Sequence, residues 1–240
     1  MSDPGVEPSL LNGIATTRSI RRYQPDPVPT EDLNSILFAA TRAPQGSNRQ
    51  GFRFVVLRDG PRALEARRLI GEGARSVWAD KRVTDAYDRG SGAADDSPKA
   101  RMARTMQHFV DHVHEAPVIV LACLHCHRAP SLALGGAVWP AVQNLLLGAR
   151  ALGYGGVITG WHGPREAEIR QVLGMPADPD RLAIAATIPL GRPVGGHGPV
   201  RRRPLAEVVY EDGWGEAAPW AVDPEGARFT APGPPSGLRV

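Results

Sequence analysis

The chain has 240 residues, enough for one large core, and its 42% hydrophobic and 22% charged content is that of a globular protein. A net charge of +3, with arginines interspersed among acids, argues against a nucleic-acid surface. No run of about 18 apolar residues stands out, and Met-Ser-Asp-Pro-Gly-Val-Glu-Pro carries neither a basic start nor an apolar stretch. The expectation is therefore a cytoplasmic protein with no membrane partner, whose two cysteines are free thiols.

Leu10, Leu11 and Ile14 give residues 8–17 the pattern of an opening helix. In "RSIRRYQPDPVPTEDL" three prolines forbid a helix until Thr30, which is placed to cap the next one. Leu33, Ile36, Leu37 and Ala40 then repeat at helical spacing to about Arg42, with Glu31 and Asp32 at the positive end of the dipole. "APQGSNRQG" is a polar loop, and residues 52–57 read as a strand by their aromatic and β-branched content. Residues 61–80 are helical, 88–99 read as a mobile loop, and Ser97-Pro98 opens a helix whose Met102, Met106, Phe109 and Val113 form a core stripe.

"PVIVLACLHCHRAP" contains Cys123-Leu124-His125-Cys126-His127, the C-x-x-C-H pattern of covalent haem attachment. The apolar run before it reads as a buried central strand, which sends Cys123 and His125 to one face and Leu124 and Cys126 to the other. The thiols then do not converge, so a core role outweighs haem, and two cysteines without a second ligand pair outweigh zinc. No metal site is expected. Further on, residues 135–152 are a small-residue helix in which Pro140 predicts a kink or a start near Trp139. "YGGVITG" is a short strand, "PREAEIRQVLG" a helix from Pro164 to Gly174, and "RLAIAATIPLG" a further strand. About four strands among helices make an α/β or α+β domain over 1–212. From Gly213 to residue 240 the chain is Pro/Gly-rich, and its Trp214 and Trp220 suggest an arm laid across a partner subunit.

Arg18, Arg21 and Arg22, with Ser19, sit in the loop that prolines hold extended, and Arg201, Arg202 and Arg203 precede Pro204. Either group suits a phosphate, though an arginine run is more often a solvated face. Neither "GYGG" nor "PVGGHGP" has the spacing of a P-loop or Rossmann fingerprint. His162 is the histidine expected near a pocket, while His108, His112 and His114 read as surface or capping residues. The chain offers anion binding without an acid, base or nucleophile of its own, so no catalytic side chain is assigned and a bound cofactor is expected to carry the reaction.

The segments "RSIRRYQPDPVP", "AATRAPQGSNRQGFRFVVL", "AVQNLLLGARALGYGGVITGW", "EIRQVLGMP" and "RRRPLAEVV", in this order over about residues 14–210, resemble the FMN-dependent nitroreductase family. That resemblance implies an α+β fold, a central mostly antiparallel sheet flanked by helices, and an intertwined homodimer with two FMN sites built from both chains. It implies that Arg18, Ser19 and Arg21 form the first flavin loop, one arginine on the phosphate and Arg21 near the N1 and O2 edge, where a positive charge favours the reduced, anionic ring. It places the turn Pro44, Gln45, Gly46 and Asn48 beside the flavin, the backbone of Thr159, Gly160 and Trp161 against the ring, and Arg202 on the phosphate, with Arg201 and Arg203 as alternates.

The chain departs from the family pattern at Gln45, at Gln50-Gly51-Phe52 and at Thr159, and segment 65–110 matches nothing assignable, with 88–99 a lid candidate. The implied activity is NAD(P)H-driven, ping-pong reduction of nitroaromatic, quinone or similar electron-poor small-molecule acceptors. The alternatives are oxygen-dependent, dehalogenating or dehydrogenating use of FMN, or flavin binding without turnover.

Overall fold

The computed structural model describes residues 8–229. Four strands form the central sheet: β1 (Phe52–Leu57), β2 (Val118–His125), β3 (Gly155–Gly156) and β4 (Leu182–Gly191). Their order is β1-β2-β4-β3 and every pairing is antiparallel. Among the described residues seven α-helices surround the sheet: α1 (Leu10–Thr16), α2 (Thr30–Thr41), α3 (Pro61–Thr84), α4 (Pro98–His112), α5 (Leu132–Gly135), α6 (Trp139–Ala151) and α7 (Glu166–Leu173). A two-residue parallel pair, β5 (Arg201–Arg202) and β6 (Arg228–Phe229), stands apart. The fold is thus α+β with a mostly antiparallel sheet.

β2 is apolar on both faces because helices cover both. Val118, Val120, Ala122 and Leu124 pack with α2, α6 and β4 in one core, while Ile119, Leu121 and Cys123 pack with α3, α4 and α7 in the other. Ala185 is the extra residue of a bulge on β4, since Ala122 faces Ala186 and Cys123 faces Ile184. It turns Ile184 into the second core while Ala186, Ile188 and Leu190 face the first. Cys123 and Cys126 lie buried in different cores, and burial pushes the Cys123 thiol up to about 12. The haem pattern is a coincidence of two core residues across one sheet.

Several expectations need correction. Pro29, not Thr30, is the cap of α2, and the Thr30 hydroxyl instead accepts from Arg58 Nη1 at 3.0 Å. Pro140 marks a start rather than a kink, because α6 begins at Trp139. The strand expected over "YGGVITG" shrinks to Gly155–Gly156 plus one bridge between Thr159 and Thr187. The loop 88–99 is tied down: Asp88 pairs with Arg82 at 2.7 Å, Arg104 Nη1 donates to the Asp95 carbonyl at 2.8 Å, and Gly90–Ala93 forms a 3-10 turn.

The stretch Leu132–Ala151 is long and apolar enough to cross a membrane by composition. In the fold it breaks between α5 and α6, and α6 packs on α2 as a core helix. The C-terminal arm turns back on its own chain as far as it is described. Trp220 Nε1 donates to Glu211 at 2.8 Å, and β6 pairs with β5. Trp214 and Trp220 remain exposed; residues 230–240 of that arm lie outside the described residues.

Candidate functional site

The prolines at 25, 27 and 29 hold the segment after α1 extended, and it runs beside the sheet edge. Ile20 N donates to Gly156 O at 3.0 Å, Val194 N to Arg22 O at 3.0 Å, and Gln24 N to Arg192 O at 2.8 Å. Ile20 is buried; a Cβ on Gly155 would sit 2.4 Å from Ile20 Cγ1, so only glycine lets that side chain seat there. The Tyr23 hydroxyl donates to Ile20 O at 2.6 Å, and burial keeps the phenol protonated far above its usual range. Consecutive residues of this segment, Arg18 to Arg22, line a cleft.

That cleft consists of two adjoining cavities of about 730 and 520 Å³, which share Arg18, Ser19, Val200 and Arg202. Six arginines line the larger one (Arg18, Arg21, Arg22, Arg201, Arg202 and Arg228) and no acidic side chain does. Only Arg18 and Arg202 donate to described residues, to Gly196 O at 2.8 Å and Arg201 O at 2.8 Å. Arg21 is half-buried; burial first, and the Arg18 charge further, lower its pKa, opposed by Tyr23 and Tyr87. The smaller cavity is more apolar, walled by Ile14, Leu146, Val157 and Ile158 together with Gln143.

Arg18, Ser19, Arg21 and Arg202 all line the larger cavity. Arg201 joins them, whereas Arg203 pairs with Glu207 at 3.1 Å and lines neither cavity. Thr159 follows Ile158 of the cleft wall and is pinned to β4 by Thr159 N on Thr187 O at 3.0 Å and Thr187 N on Thr159 O at 2.8 Å. Gly160 has open space where a side chain would stand. Trp161 turns its ring into the core against Phe109, centroids 4.6 Å apart, and its carbonyl lies where a Cβ on Gly73 would be 2.2 Å away.

Pro44, Gln45, Gly46 and Asn48 lie elsewhere. Their turn is fastened by Gln45 Nε2 on Ala137 O at 2.8 Å and leads to Gly51 O, which accepts from His125 N at 2.7 Å. His125 ends the strand that Val118 begins, and Val118 is the partner of Leu190, beside Gly156 and the arginine cleft. Seven residues of strand make that separation roughly 23 Å. Within one chain the two predicted groups do not meet. Ser47, Asn48 and Gln50 all have positive φ, of 54°, 49° and 48°, a concentration of backbone strain typical of a site that something else must fit.

His162 is a correction. It is buried under the sheet with Nδ1 3.0 Å from Thr187 Oγ1, lines no described cavity, and burial lowers its pKa. Met102, expected in the core stripe, is 41% exposed and lines the arginine cavity with Thr105. Sequence reasoning also missed Gln143, Ile158 and Arg228. Gln143-Asn144 is a polar pair inside an apolar helix, a usable signal: Asn144 Nδ2 donates to Ala39 O at 3.3 Å and Gln143 lines the cleft. Arg228 gave none, since only the β5–β6 pairing carries it there.

Residues 14–192 match the sequence profile described as the Nitroreductase family. An NADH dehydrogenase of Thermus thermophilus is 31% identical over 204 residues, which cover 80% of this chain and 90% of that protein. A structure from Desulfovibrio desulfuricans, described as a nitroreductase in complex with FMN, superposes with TM-score 0.60 at 31% identity, covering 87% of this chain and 99% of that one. The NADPH:FMN oxidoreductase of Vibrio harveyi, complexed with NAD+, shares the fold at TM-score 0.60 and 22% identity, covering 87% of this chain and 79% of that one.

Proposed function

The chain belongs to the nitroreductase family and is an FMN-dependent oxidoreductase, and from that premise we propose that it uses NAD(P)H to reduce electron-poor small molecules such as nitroaromatics or quinones in a ping-pong cycle. The observation that carries this reading is the cleft itself, whose larger cavity is lined by six arginines and, among the described residues, no acid. A phosphate needs two or three such donors, and the larger cavity has room for a flat ring beside them. The residues present therefore fit FMN.

In this reading Arg18 and Arg202, with Arg201 alongside and the Ser19 hydroxyl, hold the phosphate. Arg21 faces the electron-rich edge of the ring, where its half-buried, unpaired charge acts through a lower dielectric than water. Thr159 and Gly160 supply backbone to the ring, held in place by the Thr187 bridge and kept open by the missing side chain at 160. FMN, when bound, supplies the hydride and electron chemistry. Among the described residues neither cavity is lined by a carboxylate or an imidazole, and in this reading water supplies the proton.

Pro44, Gln45, Gly46 and Asn48 enter the site only from a second copy. Their place at the far end of the sheet, and the exposed Leu10, Leu11, Phe38 and Trp139 on α1, α2 and α6, support a homodimer in which each strained turn serves the other chain's cleft. The location we infer is the cytoplasm. The test is the visible spectrum of the protein, followed anaerobically as NADPH and then NADH are added. We expect a flavin spectrum that bleaches with at least one reductant and recovers on adding a quinone. A flavin bleached by neither would overturn the reductase reading and leave the family's other uses of FMN, or binding without turnover.

A further inference from the structure

Beyond Arg21, Arg22 and Val194 the arginine cleft continues into a third cavity of about 360 Å³. Tyr23, Gln24, His108, Phe109, His112 and Glu115 complete its walls. The rings of His108 and His112, one turn apart on α4, stack with centroids 4.3 Å apart. His112 Nδ1 lies 2.7 Å from His108 O; a carbonyl can only accept, so Nδ1 carries the proton and Nε2 is left free. The buried His108 Nδ1 has no partner. The flavin reading uses none of these groups.

The charges facing the stacked rings are Arg21 and Arg22 from the extended segment, and Glu115, with Asp111 nearby, from the end of α4 and the turn after it. Burial, the Arg22 charge and the neighbouring His112 hold His108 below its usual pKa, and Asp111 and Glu115 oppose them. Among the groups lining the cavity, two guanidiniums outweigh one carboxylate before either ring is protonated. His108 resists a gain of charge unless an anion enters between it and the guanidiniums.

Resting on the flavin reading of the adjoining cleft, we propose that this side cavity is a subsite for a phosphate monoester on the second substrate, held by Arg22, His108 and His112 and engaged more tightly at acid pH. The cavity adjoins the cleft at Arg21, the residue this reading sets at the ring edge, so a substrate seated at the flavin can carry its phosphate there. Either the 2′-phosphate of NADPH or a phosphate on the acceptor has this chemistry.

The probe is inorganic sulfate, a dianion whose charge is constant over the pH range used, titrated calorimetrically into the FMN-loaded protein. Wild type should bind sulfate about tenfold more tightly near pH 5.5 than near pH 8. His108→Gln/His112→Gln should lose that pH dependence, and the single variant His112→Gln, at an exposed ring, should weaken it. Sulfate affinity that does not change with pH, or that the folded variants leave unchanged, would overturn the proposal. KM values sort the source: a rise of about fivefold or more for NADPH near pH 5.5 in the double variant, with NADH unmoved, assigns the reductant's phosphate. Loss of sulfate binding with NADPH unmoved assigns the acceptor's, and both results support the subsite. A protein that takes up no FMN counts against the flavin reading alone, since the difference in sulfate binding between wild type and variant still reads this cavity.

Discussion

Arginine does opposite things in two regions of this molecule. Around α3 and α7 the guanidiniums are satisfied: Arg67 donates to the carbonyls of Arg58, His114 and Ala116, and Arg170 to Glu166, Pro176 O and Leu182 O. Arg165 pairs with both Glu72 and Glu168. In the cleft six guanidiniums stand together without an acid. The first set ties turns and helix ends to the core. The second repels itself in the absence of a ligand, so its positions lower stability unless an anion arrives. A charged residue with buried, complete hydrogen bonding is structural; one displayed with like charges and nothing to hold is a binding group.

Substitutions can break that contrast. Arg67→Met should have the largest effect, because it takes the donor from three carbonyls, that of Ala116 buried and those of Arg58 and His114 half-buried: a loss of about 3 kcal/mol by urea unfolding, with FMN affinity of the folded fraction unchanged. Arg18→Ala should do the reverse, weakening FMN by roughly tenfold or more while unfolding free energy without FMN stays within about 0.5 kcal/mol of wild type. Full flavin occupancy in that variant would remove the phosphate assignment.

The buried His162 sharpens the comparison through pH. Its folded pKa lies below the unfolded value of about 6.5, so the unfolded chain takes up the proton first as pH falls. The stability linked to this group is fully present above about pH 6.5 and is lost as pH drops toward the lower folded value. His162→Gln should flatten that part of the stability profile, a change on the order of 1 kcal/mol measured by urea unfolding at several pH values. Smallest is Ser47→Gly, which relieves one positive φ of 54° and should stabilise by at most about 1 kcal/mol in thermal unfolding.

The buried strand and the opposite faces of Cys123 and Leu124 were legible, because a period of two leaves no freedom once both faces are apolar. The extended arginine segment was equally legible, since prolines fix it locally. What escaped the sequence were features made by distant partners. β3 is two glycines whose only reason to be a strand is β4. Arg228 reaches the cleft through β5 and β6, and the loop 88–99 is held by arginines of α3 and α4. His162 shows the same limit from the other side: its glycine-flanked position suggested a pocket, and Thr187, 25 residues away, keeps it in the core. The strained turn at 44–50 reads as an ordinary polar loop in sequence, because positive φ at Ser47 and Gln50 is imposed by the fold.

The most direct test of the unpaired arginines is the affinity of the apoprotein for FMN against riboflavin, which differ only in the phosphate, at low and high salt. If the arginine cleft holds the phosphate, FMN should bind about a hundredfold more tightly than riboflavin, and the gap should narrow as salt rises. Equal affinity for the two at every salt concentration would contradict the account, since six arginines without an acid would then be contributing nothing to the cofactor they face.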